Sequence, residues 1–134
     1  MEIDIPEVKA EVEAAFAGYE AALVANDVAA LDGFFRADAR TIRYGGGENL
    51  YGIEEIRQFR KGRSPAGLAR TLERTAITTY GRDFAVASTL FRREGDGGRL
   101  GRQQQTWVRF PEGWRVVAAH VSTLPVSPLP VGTP

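Results

Sequence analysis

The sequence predicts an α+β domain in which N-terminal helices cover one concave face of a curved antiparallel sheet and enclose a cavity. Two observations predict this class. Near the N-terminus, apolar residues recur every three or four positions, as they do in amphipathic helices. After Gly67 they alternate with polar residues in longer runs separated by turns that contain glycine or proline, as in antiparallel strands. Helices followed by strands are typical of the α+β class.

Two helices are predicted first, and they should meet at a corner. The first spans Glu7 to Asn26, with Pro6 in a position suited to the first turn. Its apolar positions share one face: Val8, Val12, Phe16, Tyr19 and Leu23. Asp27 is suited to cap a second, short helix from Val28 to Phe35.

A short strand, a glycine loop and a third helix come next. The strand is predicted from Ala39 to Tyr44, and the helix from Ile53 to Arg60. The glycines at 45–47 lack the lysine and hydroxyl residue of a phosphate-binding loop, so we interpret them as a flexible exit from the strand.

Four β segments complete the predicted domain, which spans residues 1–124. They are Leu68 to Tyr80, Phe84 to Arg93, Leu100 to Phe110, and Trp114 to Leu124. The short links between them favour an antiparallel meander. Residues 125–134 contain four prolines, and we expect a loose C-terminal tail there.

Composition excludes several classes of function. Seventeen basic residues balance seventeen acidic ones, which argues against nucleic acid as a partner. The absence of cysteine and the single histidine argue against a metal site, and we expect no cofactor. The chain begins without a signal peptide and has no apolar run of roughly 20 residues, so we expect a cytoplasmic protein with no membrane contact.

The last hairpin predicts a polar cluster. A type I turn with a glycine bulge at Gly113 would pair Phe110 with Trp114 and Gln104 with His120. One face then carries four polar side chains that we interpret as cavity-facing: Arg102, Gln104, His120 and Ser122. A two-residue turn would instead place Gln105 opposite His120. The opposite face, which includes Trp107, is expected to form a homodimer interface through the sheet.

The chain resembles the NTF2-like superfamily, also called SnoaL-like or cystatin-like, whose members have a cone-shaped α+β fold. This resemblance rests on two segments, "NDVAALDGFFRADA" and "GWRVVAAHVS". Within the superfamily, the chain resembles the AtzH and HpxZ type of proteins, which are associated with cyanuric acid and oxalurate catabolism. That narrower resemblance rests on "IRYGGGENLYGIEEIRQFRKGRSP" and "GRQQQTWVRFPEGWRVVAAHVS".

The resemblance implies a decarboxylating amidohydrolase that converts 1,3-dicarboxyurea to allophanate without a metal or organic cofactor. It also implies a catalytic pair, a tyrosine of the first helix and an arginine of the first strand, which match Tyr19 and Arg43. In the oxalurate branch the role is less clear, so a non-catalytic accessory protein that assists an amidase is the alternative. A third reading, a cofactor-free isomerase or dehydratase, would prefer a carboxylate in the cavity.

Each candidate side chain also has an ordinary structural interpretation. Arg43 can hold a carboxylate or stabilise charge on a carbonyl oxygen, or it can be a solvent-facing strand arginine. Tyr19 can donate a proton or orient water, or it can be a core residue. His120 is either a general base or a hydrogen-bonded core histidine. Asn49 is a candidate for the cavity mouth, and the basic run Arg57, Arg60, Lys61, Arg63 resembles a solvated helix end.

Overall fold

The computed structural model describes residues 1–125 of the chain and begins with the predicted corner of two helices. Helix α1 spans Pro6–Val24 and helix α2 spans Val28–Phe34. The Asp27 side chain accepts a hydrogen bond from the backbone N–H of Ala30 at 3.1 Å, which caps α2 as the sequence predicts. The predicted proline-rich tail lies outside the described residues from position 126 onward.

A hairpin of two short strands follows α2. Strand β1 spans Ile42–Tyr44, strand β2 spans Asn49–Tyr51, and helix α3 runs from Ile53 to Gly62. The predicted glycine loop is therefore the turn of this hairpin, and sequence analysis missed β2. A three-residue strand is too short to show the alternation by which strands are recognised.

The remaining strands form the long meander that the sequence predicts. They are β3 (Arg70–Tyr80), β4 (Phe84–Arg93), β5 (Leu100–Phe110) and β6 (Gly113–Leu124). Among the described residues the sheet has six strands in the order β2-β1-β6-β5-β4-β3. Strand β1 pairs with β6 in parallel, and all other pairs are antiparallel.

The helices cover one face of this open sheet, which we call the inner face. Apolar side chains of α1 and α2 pack against it in one core. Its contacting residues are small or aromatic: Ala85, Ala87, Trp107, Trp114, Val116 and Ala119. Trp107 is 0% exposed, so it lies in the core and not on the predicted dimer face. The predicted assignment of Trp107 was wrong because the helices already cover that side.

The register of the last hairpin explains why the side predicted to face a second subunit faces the helices instead. Gly113 pairs with Phe110, so the turn has two residues, and the extra residue of a bulge lies at Val117 instead of the turn. Beyond the bulge the predicted pairs are confirmed, including Gln104 with His120 and Arg102 with Ser122. Because a bulge reverses the alternation, Val116 faces the helices whereas His120 faces away from them.

Among residues 1–125, the helices are too short or too polar for any of them to cross a lipid bilayer.

Candidate functional site

Arg43 lies on the inner face, at the centre of the short strand β1. Its Cα partners are Leu50 on β2 and Ala119 on β6, and the residue is 8% exposed. The guanidinium Nη1 donates to Glu48 Oε2 at 2.8 Å, and the group lies 5.4 Å from the centre of the Phe59 ring. Arg43 is therefore a buried and oriented cation, not a solvent-facing strand arginine.

Tyr19 projects from α1 toward the same inner face. It is 4% exposed, and its ring meets Trp107 edge-on at a centroid distance of 6.5 Å and Phe34 at 6.1 Å. The indole Nε1 of Trp107 donates to Gln105 Oε1 at 3.1 Å, which orients that amide. Aromatic contacts thus hold the Tyr19 ring in one orientation.

Two further arginines on this side of the molecule are buried with carboxylate partners. Arg60 of α3 is 3% exposed and donates to Asp32 Oδ1 at 2.6 Å. Arg70 of β3 donates from Nε to Glu20 Oε2 at 3.1 Å and also bonds Gln103. Each of these buried charges has a partner of opposite charge, without which its burial would be strongly destabilising.

Arg63 and Arg93 are partly buried, and neither forms an ion pair within residues 1–125. Arg63 Nε and Nη2 and Arg93 Nε are buried with no hydrogen-bond partner among the described residues. Burial lowers the pKa of both guanidinium groups. The charge of Arg43 lowers the pKa of each further, so the three arginines lie within electrostatic range of one another.

Two buried amides add further donors to the inner face. Within the described residues, Gln103 Nε2 and Gln105 Nε2 have no hydrogen-bond acceptor. Such groups are costly to bury unless a water or a ligand accepts from them. The amides and the arginines are all hydrogen-bond donors, and the arginines carry positive charge, a combination that suits a small ligand with carboxylate groups.

The other predicted site residues lie on the outer face, away from the helices. Arg102 donates to Ser122 Oγ at 3.1 Å, and Gln104 donates to Ser88 Oγ at 3.0 Å. His120 is exposed, and its ring lies 6.2 Å from that of Tyr44. These four residues, Arg102, Gln104, His120 and Ser122, line a shallow outer depression. Their predicted cavity-facing orientation was wrong because the bulge at Val117 reverses the alternation of β6.

Asn49 of β2 is also exposed and pairs with Tyr44, whose ring lies beside His120. Asn49 therefore shares the outer face and lies on the side opposite Tyr19 and Arg43, whose surroundings we call the inner site.

Sequence analysis missed three residues of the inner site: Glu48, Arg63 and Arg93. The basic run on α3 was interpreted as solvated, although Arg60 is buried and Arg63 partly so. Arg93 continues the inward alternation of β4 through Thr89 and Phe91, which is the signal that could have identified it. Among residues 1–125, no three acidic or histidine side chains are grouped closely enough to hold a metal ion.

Comparison with known proteins identifies related chains. The family model described as AtzH-like matches residues 1–127. No curated protein matches the chain.

Several solved structures share the fold. A protein of unknown function from the DUF3225 family of Pectobacterium atrosepticum is 60% identical, with a TM-score of 0.90 and coverage of 92% of this chain and 95% of its own. A cystatin-like fold protein from Burkholderia xenovorans is 45% identical, with a TM-score of 0.90 and coverage of 95% and 99%. An NTF2-like protein from Pseudomonas putida, 17% identical with a TM-score of 0.75 and coverage of 87% and 86%, shares the fold alone.

Proposed function

Because the chain belongs to the AtzH-like family of NTF2-like proteins, we propose that it is a decarboxylating amidohydrolase acting on a carboxylated urea. The proposed substrate is 1,3-dicarboxyurea and the product is allophanate. One observation carries the proposal. Tyr19 and Arg43 are far apart in sequence, yet both are buried on the inner side of the sheet: Tyr19 packs on Trp107 of β5, and Arg43 lies on β1 beside Ala119 of the neighbouring strand β6.

The residues at the inner site suit the chemistry of this reaction. The terminal C–N bond of the substrate breaks, its electron pair remains on nitrogen, and the carboxylate carbon leaves as carbon dioxide. Nitrogen then needs one proton, which the Tyr19 hydroxyl supplies and water restores. Arg43 donates to the urea carbonyl oxygen, where negative charge develops while the bond breaks.

The surroundings of both residues support these roles. Glu48 and Phe59 hold the Arg43 guanidinium on two sides, so little reorganisation is needed when charge develops near it. The aromatic contacts with Phe34 and Trp107 likewise hold the Tyr19 ring in place. Arg43 is 8% exposed and Tyr19 is 4% exposed. Such burial lowers the local dielectric constant and strengthens the electrostatic interactions of both side chains.

The second candidate function is a non-catalytic accessory protein that assists an amidase. The outer depression favours it, because Arg102, Gln104 and His120 present polar groups to a partner away from the inner site. A homodimer through the sheet stays a prediction, as does the amidase partner. With the inner face covered by helices, such a dimer would have to use the outer face.

A substrate panel separates the two candidates. Purified protein is incubated with 1,3-dicarboxyurea, oxalurate and allophanate, while carbon dioxide and ammonia are followed. The proposal predicts carbon dioxide and allophanate from 1,3-dicarboxyurea, without ammonia. Absence of turnover on all three ureides would contradict the enzymatic proposal and favour the accessory function.

A further inference from the structure

The inner site contains more positive than negative charge. Three of its buried arginines each have one carboxylate: Arg43 pairs with Glu48, Arg60 with Asp32, and Arg70 with Glu20. Arg63 and Arg93 have none among the described residues, which leaves two uncompensated guanidinium groups.

Arg93 lies opposite a like charge. It is the direct Cα partner of Arg70 across β3 and β4, and both guanidinium groups lie over the ring of Phe91, at 4.9 Å and 4.4 Å. Glu20 and Gln103 satisfy Arg70 but not Arg93. The carboxylates of Asp96 and Glu20 oppose the lowering of the Arg93 pKa, but neither forms an ion pair with Arg93 among the described residues.

Arg63 is uncompensated in a similar way. It follows α3 directly, and its backbone N–H bonds the carbonyl of Arg60, which fixes the course of the chain at this point. Two of its guanidinium nitrogens are buried without an acceptor among the described residues. Arg63 follows Phe59 by four residues, and the ring of Phe59 lies 5.4 Å from the Arg43 guanidinium. The end of α3 therefore brings Arg63 toward Arg43, and a carboxylate is the group that would accept from it bidentately.

We propose that Arg63 and Arg93 form a second carboxylate subsite, so that the inner site selects dianions over monoanions. The inference rests on the proposed function only for the identity of the reacting end, which lies at Tyr19 and Arg43. Both uncompensated cations lie at the end that holds the second carboxylate, and together they offset the total charge of a dianion. The ligand inferred from these two arginines is a dicarboxylate, and the carboxylate that they bind does not react.

Glutarate is the probe that tests the subsite without chemistry. Three atoms separate its carboxylates, as in 1,3-dicarboxyurea, and it has no C–N bond to break. Butyrate is the matched monoanion that lacks one carboxylate. Binding of both is measured by calorimetry at constant ionic strength. We expect glutarate to bind the wild-type protein at least about tenfold more tightly than butyrate, since a charge-assisted hydrogen bond contributes at least that factor.

Arg63→Gln and Arg93→Gln are each expected to weaken glutarate binding about tenfold. The matched controls are Arg57→Gln and Arg92→Gln, whose side chains pair with Glu54 and Glu73 in more exposed positions. Both controls should bind glutarate as the wild type does. If a glutamine variant fails to melt cooperatively, Arg63→Lys or Arg93→Lys replaces it, with an intermediate loss of glutarate affinity expected.

Equal affinity of the wild type for glutarate and butyrate would overturn the inference. Wild-type glutarate affinity in both glutamine variants would do the same. Failure of the proposed function has a different outcome: glutarate binds as expected, but no ureide is converted. Conversion of 1,3-dicarboxyurea by a protein without dianion preference would leave the proposed function standing and remove the subsite.

Discussion

Arg70 and Arg93 face each other across strands β3 and β4 and share the ring of Phe91, yet only Arg70 has a carboxylate partner. Like charges directly opposite each other destabilise a sheet. A buried donor without an acceptor adds a further cost. A ligand carboxylate that accepts hydrogen bonds from Arg93 would offset both costs.

The first prediction is that Arg93→Gln stabilises the free protein. The substitution removes the unpaired charge next to Arg70 and should raise the free energy of unfolding by about 1 kcal/mol. That corresponds to a rise in Tm of a few degrees, on the order of 2–8 °C. Thermal unfolding followed by circular dichroism measures it.

Arg92→Gln is the control for this experiment. It lies next to Arg93, is exposed, and pairs with Glu73 at 2.7 Å, so its loss should change stability by less than about 0.5 kcal/mol. A lower Tm in Arg93→Gln than in Arg92→Gln would show that Arg93 stabilises the fold, against the prediction.

The second prediction concerns Glu48, which pairs with Arg43 and accepts from the backbone N–H of Gly47 at 3.1 Å. Glu48→Gln keeps the shape but removes the charge that orients Arg43. We expect kcat for 1,3-dicarboxyurea to fall about tenfold, because a loosely held Arg43 costs alignment. KM should not rise, because the site gains net positive charge. Steady-state kinetics separates the two constants, and a raised KM with an unchanged kcat would contradict this role.

The third prediction uses two adjacent glycines of the β1–β2 turn. A Cβ at Gly45 would lie 1.7 Å from Glu48 Oε2, whereas a Cβ at Gly46 meets nothing within 4 Å. Gly45→Ala must therefore displace Glu48, and we expect the same fall in kcat as for Glu48→Gln. Gly46→Ala should retain wild-type kinetics. Equal kinetics of the two alanine variants would contradict the role of the Glu48 contact.

The fourth prediction concerns the close approach of Phe91 to Gly101. A Cβ at Gly101 would lie 2.2 Å from the Phe91 ring, which is 0% exposed. Gly101→Ala should destabilise the protein by about 1–3 kcal/mol because the ring must move. The ring also supports Arg70 and Arg93, so glutarate binding should weaken as well.

Gly62→Ala is the matched control, since its Cβ would meet nothing within 4 Å at the end of α3. Alanine there should be neutral or slightly stabilising. Chemical denaturation of both variants gives the comparison. An unchanged midpoint for Gly101→Ala would mean that the ring has room to shift.

Much of the fold follows from periodicity in the sequence. The amphipathic spacing of α1 and the alternation of β3 to β6 extend over enough residues to identify each element. The bulge at Val117 could not be predicted in the same way, because apolar residues on both sides of it suit either face. That one residue determined which side of β6 faces the helices, and hence the placement of His120.

Less of the candidate site could be predicted. Resemblance indicated Tyr19 and Arg43, and the structure places both on the inner side. Of the two arginines of the proposed subsite, Arg63 follows the end of α3, and Arg93 lies opposite Arg70 at the end of β4. Arg93 continues the inward alternation of β4, which is a local signal, whereas Arg63 lies in a basic run typical of a solvated helix end, so tertiary structure was needed to find Arg63.

The claim that Tyr19 and Arg43 act together is tested by a double-mutant cycle. Tyr19→Phe keeps the ring contacts with Phe34 and Trp107, so it should remain folded while losing the proton donor. Removal of a general acid typically costs about 10²–10⁴-fold in rate. Tyr51→Phe, an exposed tyrosine on β2, is the control and should retain activity.

The most direct measurement is carbon dioxide release from 1,3-dicarboxyurea by the wild type, Tyr19→Phe, Arg43→Gln and the double variant. Groups that act as a unit are not additive, so the double variant should be no slower than the slower single variant. Wild-type release by either single variant, or a double variant whose loss is the product of both single losses, would contradict the account.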